Sequence, residues 1–474
     1  MGAIVSAVLL AAALTPTGPA LASAPDPRAP PPPMAVPAAA DDLFDGVLPC
    51  GLRVLVARDP SFAVTALELV VPLGIGDADL PPGHATWLAY QALEGNRRMP
   101  PGGLVAFAHD AGGYATLAQT WGRTRYEIVV PTAVLDDALD LLASLFTPPA
   151  VTSDTLRRAH ALAAMAARRL HAGPIPPSLR AAVYGEPAPP QGAVPDLPAG
   201  PALETLAGRV RADMGRFFTP ERAVLVVVTN LPRAEILPRI ERTFAGLPRS
   251  PRHVPATGRA GHAPAARRLG PPQDRATWLL SPLPPGPHAR EAARVLCRAL
   301  NRHRPKDRKA RRFEATCHLD TDPDRPLLQI RTRGVAPRKA AEALERRIAA
   351  LLHGDGRPVF ERERAIVAAS LAADAGVFIG LARRLAERPP FGEPPADRAD
   401  AIGTGRLADP DAAARLATRL VEALRWSYVP PAFRPRGAPK KPPRTERPRG
   451  RPRPPSTKKR KPLPAPGAKK GGPP

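Results

Sequence analysis

The sequence predicts an α+β protein of two similar domains, followed by a basic tail that belongs to neither. Three observations predict this. A strand–helix–strand–helix order is written twice along the chain. A stretch rich in Pro, Gly and Arg, from Arg249 to Gly270, separates the two copies. From Arg434 onward there are 15 Lys and Arg against the single Glu446, so the tail holds +14 of the chain's net +25. A basic stretch dense in proline cannot bury a core and should be disordered.

The first copy begins after a Pro/Ala-rich linker. Residues 52–56 alternate as a strand, and Val64–Pro72 forms a second strand of almost continuous apolar character. Ala85–Leu93 reads as a helix stopped by Gly95, and Tyr126–Val130 as a strand. Val134–Phe146 and Thr155–Leu170 carry apolar residues at helical spacing, the first with carboxylates outside and the second with basic residues. Ala223–Thr229 is a buried strand, and Arg233–Phe244 the helix after it. In the second copy the strands are Ala276–Leu280 and Leu327–Thr332. Its helices are His288–Asn301, Pro337–His353 and Phe360 to about Ala373.

At 474 residues, with 44% apolar residues, the chain has material for two real cores. The 66 prolines and the Arg-heavy basic set read in part as compositional drift rather than design. Residues 3–14 are an apolar run followed by Pro16, Gly18 and the small residues of 20–24, the shape of a signal peptide. Twelve apolar residues are too few for a transmembrane span. The expected organisation is a signal peptide over 1–24, a linker over 25–41, domains over 42–248 and 273–430, a joint over 249–272, and the tail over 431–474. Export to the periplasm or beyond follows. Three cysteines cannot make a disulfide framework. Cys297 and Cys317 can pair in an oxidising compartment, leaving Cys50 alone, or all three can be buried thiols.

Five short pieces share one order with a known family. Leu48-Pro49-Cys50-Gly51-Leu52-Arg53-Val54 resembles an "L-x-N-G-L-R-V" opening strand. Gly74-Ile75-Gly76-Asp77 occupies the place of a "G-S-x-x-E" turn. Gly112-Gly113, with Arg123-Thr124-Arg125-Tyr126 and Pro131, keeps the spacing of a "G-G-x-x-N-A-x-T-x-x-D-x-T-x-Y" element. Thr219–Val228 and then Phe244–Pro248 resemble the strand and helix that close the domain. Together they resemble the insulinase-like (pitrilysin-type) zinc metallopeptidases over about 200 residues. The second half is only compatible with the companion domain of that family. The resemblance implies a half-clamshell of two domains, each a mostly antiparallel sheet covered by helices.

It also implies a zinc site that the residues do not supply. The family's inverted H-x-x-E-H motif sets two imidazoles at i and i+4 on one helix, with a carboxylate to activate water. Here Thr86 and Tyr90 fall on the two His positions and Ala89 on the carboxylate. The helix Thr155–Leu170, which should bring a third ligand, holds no acid. None of the five tyrosines lies near Arg308–Cys317, where the companion domain of the family supplies one. His84 reads as a surface or capping residue, and His160 and His171 as solvent-facing. Asp320-Thr321-Asp322-Pro323-Asp324 opens like a calcium loop. However, Arg325 and Arg331 stand where that loop needs Gly and Glu, so it reads as an acidic surface turn.

The expectation is therefore an exported, proteolytically inactive homologue without zinc or another cofactor. It would act as the non-catalytic or peptide-binding partner of an active zinc peptidase, or as a homodimer. The rival readings are a stand-alone periplasmic protein that binds peptides or the envelope, and a hydrolase using residues outside the motif. Through its tail the chain would meet an anionic membrane surface. If exported, it meets no nucleic acid.

Overall fold

The computed structural model of the chain describes residues 43–77, 79–81, 83–170, 183, 184, 194, 196–249, 276–284, 287–304, 314–320, 322, 325–333, 337–388, 405–424 and 427–429. The signal peptide, both linkers, the basic tail, His171 and most of Arg308–Cys317 lie outside the described residues.

The first sheet has six strands: β1 (Leu43–Val47), β2 (Arg53–Arg58), β3 (Val64–Val71), β4 (Tyr114–Gln119), β5 (Thr124–Pro131) and β6 (Val224–Thr229). Their spatial order is β1-β2-β6-β3-β5-β4. Only β2 and β6 run parallel; every other pair is antiparallel. The run of apolar residues in β3 is explained by burial on both faces. Leu67, Leu69 and Val71 enter the main core, and Ala66 and Val70 enter a second cluster on the opposite face.

The main core is closed by α1 (His84–Gln91), α2 (Gly103–Asp110), α3 (Leu135–Ser144), α4 (Ser153–Leu170), α5 (Pro201–Phe217) and α6 (Arg233–Phe244). Apolar residues at helical spacing, such as Leu135, Ala138, Leu139 and Leu142 of α3, face the sheet. The turn at Gly74-Ile75-Gly76 lies against the β4–β5 hairpin, where Ile75 and Gly76 donate to the carbonyls of Thr120 and Trp121. A Cβ on Gly74 would collide with the backbone of Trp121, and one on Gly76 with its ring, so both positions need glycine.

The second sheet consists of β7 (Ala276–Pro282), β8 (Glu314–Asp320), β9 (Leu327–Arg333) and β10 (Ser427–Val429), in the order β10-β7-β9-β8 and wholly antiparallel. Its core is filled from α7 (Pro287–Arg302), α8 (Pro337–His353), α9 (Arg357–Gly376) and, after α10 (Phe378–Ala386), from α11 (Pro410–Ala423). Cys297 and Cys317 are joined as a disulfide that ties α7 to the edge strand β8, and Cys50 is a buried free thiol. The Asn301 amide pairs with both backbone groups of Cys317, each bond 2.8 Å long, closing that edge locally.

The two domains share one helix. Although α10 follows the second core in sequence, it packs on the first sheet, with Leu381, Ala382 and Leu385 against Val70, Val226 and Val228. Polar contacts also hold the junction. Arg383 binds Glu127 through two hydrogen bonds of 2.6 and 2.7 Å. Arg123, itself buried, donates to the carbonyls of Ala386 and Arg388 at the C-terminus of α10. The Trp121 amide donates to Asp322 at 2.8 Å, so this carboxylate of the acidic turn is part of the domain junction. Among the described residues no single helix is long and apolar enough to cross a membrane. α9 and α10 reach that apolarity only together, and they bend by 106°.

Candidate functional site

α1 carries Thr86, Ala89 and Tyr90, the positions on which the sequence resemblance lays the zinc motif. It starts at His84, immediately after Gly83 in the left-handed conformation. Thr86 and Tyr90 are four residues apart and so share a side of the helix. Thr86 Oγ1 donates to Gln119 Oε1 at 2.7 Å. Gln119, at the end of edge strand β4, in turn donates to the Ala85 carbonyl (3.3 Å) and to Thr124 Oγ1 (3.0 Å). Ala89 is fully buried, and its carbonyl accepts the Tyr126 hydroxyl at 2.8 Å. Burial pushes the Tyr126 phenol well above its ordinary value, so it stays a donor. Tyr90 is partly buried and packs against the main core.

The histidines differ from the sequence reading. His84 is not at the surface: it is 2% exposed, with Nε2 2.9 Å from Asp213 Oδ2 of α5. Burial lowers its pKa despite the neighbouring carboxylate, favouring neutral imidazole. His160 of α4 is not solvent-facing either. It is half-buried, and its ring lies 5.8 Å from that of Trp87 in an edge-to-face arrangement, as does the His84 ring. Trp87 and His84 thus serve as core where the family motif would turn donors toward a metal. No periodicity argument finds the His84–Asp213 pair, because its members are 129 residues apart.

α4 begins two residues earlier than the apolar pattern suggests, which brings in Asp154. That carboxylate is exposed and paired with Arg157 at 2.9 Å. The acid that does approach α4 is Glu94, buried after α1 and held by Arg158 Nε at 2.6 Å. Tetrahedral zinc needs at least three converging N, O or S donors. Ala89 offers none, the Thr86 hydroxyl is committed to Gln119, and Glu94 is neutralised by Arg158. Among the described residues no group of three His, Cys, Asp or Glu could hold a metal. The residues present do not fit the ion.

What remains beside this helix is a sheet edge. Among the described residues β4 pairs with β5 alone, and Thr116 at its middle is exposed. An edge strand presents a row of backbone donors and acceptors to which an extended peptide can add.

No protein-family model matches the sequence, and no curated protein matches it. Solved structures do match. A protease from Helicobacter pylori aligns with a TM-score of 0.60 and 16% identity, over 82% of this chain and 98% of that one. The first half of the periplasmic protease PqqL from Escherichia coli aligns with a TM-score of 0.56 and 15% identity, over 83% and 92%. A peptidase M16 inactive domain from Pseudomonas fluorescens gives 0.57 and 15%, over 82% and 97%. The chain has the insulinase-like, M16-like peptidase fold, a half-clamshell of two α+β domains. At these identities the likeness is one of fold.

Proposed function

We propose that this chain is an exported, catalytically silent peptidase homologue that holds an extended peptide on β4, as the non-catalytic companion of an active zinc peptidase. The observation that carries the reading is the state of α1. The donor positions of the family motif are occupied by Thr86, Ala89 and Tyr90, and the Thr86 hydroxyl closes on Gln119 of the strand beside it. Export and companionship draw support from the neighbours: PqqL is described as periplasmic, and a unit of this size covers 47% of it.

Two measurements test this. The mature protein, refolded with and without zinc, should hold no stoichiometric metal by elemental analysis; one tightly bound zinc per chain would sink the silent-site reading. Peptide capture should depend on β4. Proline placed singly at Ala115 and at Thr116 removes one N–H each, and neighbouring residues of a strand point these groups in opposite directions. The variant that keeps its fold has lost an outward N–H and should bind unstructured peptide about tenfold more weakly. Unchanged capture by a folded variant places the peptide elsewhere.

A further inference from the structure

The two faces of the sheet differ in charge beside β4. Ala115 and Leu117 turn toward the main core, whereas Tyr114, and with it Thr116 and Ala118, lies on the face covered by α10. On that second face the next strand inward, β5, sets Glu127 opposite Thr116 and Arg125 opposite Ala118. Thr116 is exposed, Ala118 is half-buried, and both are short. Little side chain therefore stands between the edge and the charged groups of β5. Arg383 reaches the same place from α10, with Nη2 3.5 Å from the Tyr114 hydroxyl. These two arginines carry more donors than the fold uses. Arg125 meets Glu68 through Nε at 3.1 Å, and its two terminal nitrogens have no partner among the described residues. Arg383 commits Nε and Nη2 to Glu127, which leaves Nη1 without a partner among them. The Arg125 and Arg383 side chains are 20% and 47% exposed, so a ligand can reach both. Burial favours the neutral acid at Glu68, so two positive charges face one carboxylate, that of Glu127.

Unused guanidinium N–H groups with one positive charge in excess suit a carboxylate, which accepts from arginine in a planar, charge-assisted pair. We propose that the α10 side of the β4 edge is a subsite for an acidic side chain, glutamate above all, carried by a peptide added to β4. The proposal rests on the reading of β4 as the strand that holds the peptide. Residues of an added strand point alternately to the two faces and stand one spacing of about 4.8 Å outside β4. A residue beside Ala118 is then two spacings, about 10 Å, from Arg125 between Cα atoms, and extended Glu and Arg side chains together cross that gap. Its carboxylate would accept from the terminal nitrogens of Arg125 and from Nη1 of Arg383. The other face of β4 carries Ala115, Leu117 and Gln119, with no charged residue. The peptide that fits best therefore alternates acidic and neutral residues.

The test is fluorescence anisotropy of the full chain with two labelled peptides, one alternating Thr and Glu, the other alternating Thr and Gln. The Glu peptide should bind about tenfold more tightly, the increment of one charge-assisted pair. Arg125→Gln should cut that ratio to about twofold or less and leave affinity for the Gln peptide unchanged. Thr116→Glu sets a competing carboxylate between the edge and both arginines and should abolish the ratio. Because Thr116 is exposed, this second variant keeps its fold and reports even where Arg125→Gln does not. Equal affinity of the wild type for the two peptides overturns the proposal. So does a ratio that survives Thr116→Glu, as attraction to the basic tail alone would. The β4 reading fails separately, when a folded proline variant binds the Gln peptide as well as the wild type does.

Discussion

Replacing Arg383 with alanine should lower the unfolding free energy by about 2–3 kcal/mol at neutral pH, the largest single loss at the domain junction. Removing one member of a buried pair strands the other charge, at a cost of about 3–5 kcal/mol. The Arg383 side chain is 47% exposed, so solvent screening brings the expected figure down, whereas Glu127 is only 2% exposed. Glu127 lies directly opposite Glu68 in the β3–β5 register, with Arg125 Nε 3.1 Å from Glu68 and Tyr114 nearby on β4. Burial drives both carboxyls upward. For Glu127, hydrogen bonds from Arg383, Glu68 and Tyr114 overcome this and hold it at about 2. For Glu68 burial wins over the Arg125 guanidinium, and its pKa is raised well above the ordinary value, favouring the neutral acid.

The signs of these shifts define the profile. The depressed Glu127 contributes stability that is present above its unfolded pKa and fades as pH falls from about 4.5 toward 2. The raised Glu68 contributes stability that is present at low pH and is lost as pH rises through its folded value. Without Arg383 the Glu127 carboxyl should titrate higher. The gap between wild type and Arg383→Ala should therefore narrow as the medium is acidified below about pH 4. Urea unfolding across pH 2–8 reads this directly. A gap independent of pH would show that the arginine acts through packing alone.

Restoring the family motif with Thr86→His, Ala89→Glu and Tyr90→His should destabilise the protein by several kcal/mol and recover weak metal binding with little proteolysis. Ala89 has no exposed surface, and its carbonyl already accepts the Tyr126 hydroxyl. A carboxylate placed there is buried with Trp87 and Leu88 as neighbours, at a cost of about 2–4 kcal/mol when unpaired. The third ligand would still be missing, because α4 presents Arg158 and His160 toward this region and not an acid. Catalytic groups fail as a unit. Calorimetric metal titration, thermal melting and turnover of a fluorogenic peptide together test the triple variant. Turnover matching an active zinc peptidase would mean that the missing parts have been misidentified.

Much of the first domain was legible because its signals are local. The apolar run of β3, the alternation of β2 and the helical spacing of α3 and α6 each need only a few neighbouring residues. The elements that the pattern passed over have weak local signals. β8 reads Glu-Ala-Thr-Cys-His-Leu-Asp, with only Cys317 fully buried, and α2 is hidden behind Pro100, Pro101 and two glycines. α10 was invisible for another reason: its apolar face is answered by strands of the other domain. At the candidate site the sequence offers only the residue types Thr86, Ala89 and Tyr90, without the side chains around them. The partners in this region, Gln119 to Thr86, Asp213 to His84 and Arg158 to Glu94, were not legible, because they come from distant parts of the chain.

The position of β6 bears on how the first domain comes into being. It lies between β2 and β3 yet arrives about 150 residues after β3, once α5 has been made. Until Val224–Thr229 emerges, the β1–β2 hairpin and the antiparallel β3–β5–β4 unit are two fragments with no strand to join them, each with an unsatisfied edge. A polypeptide threaded through a narrow translocation pore must stay unfolded while it passes. If the chain is exported as proposed, this strand order would delay sheet closure until nearly the whole domain has been delivered, and connectivity alone would disfavour folding on the near side of the pore.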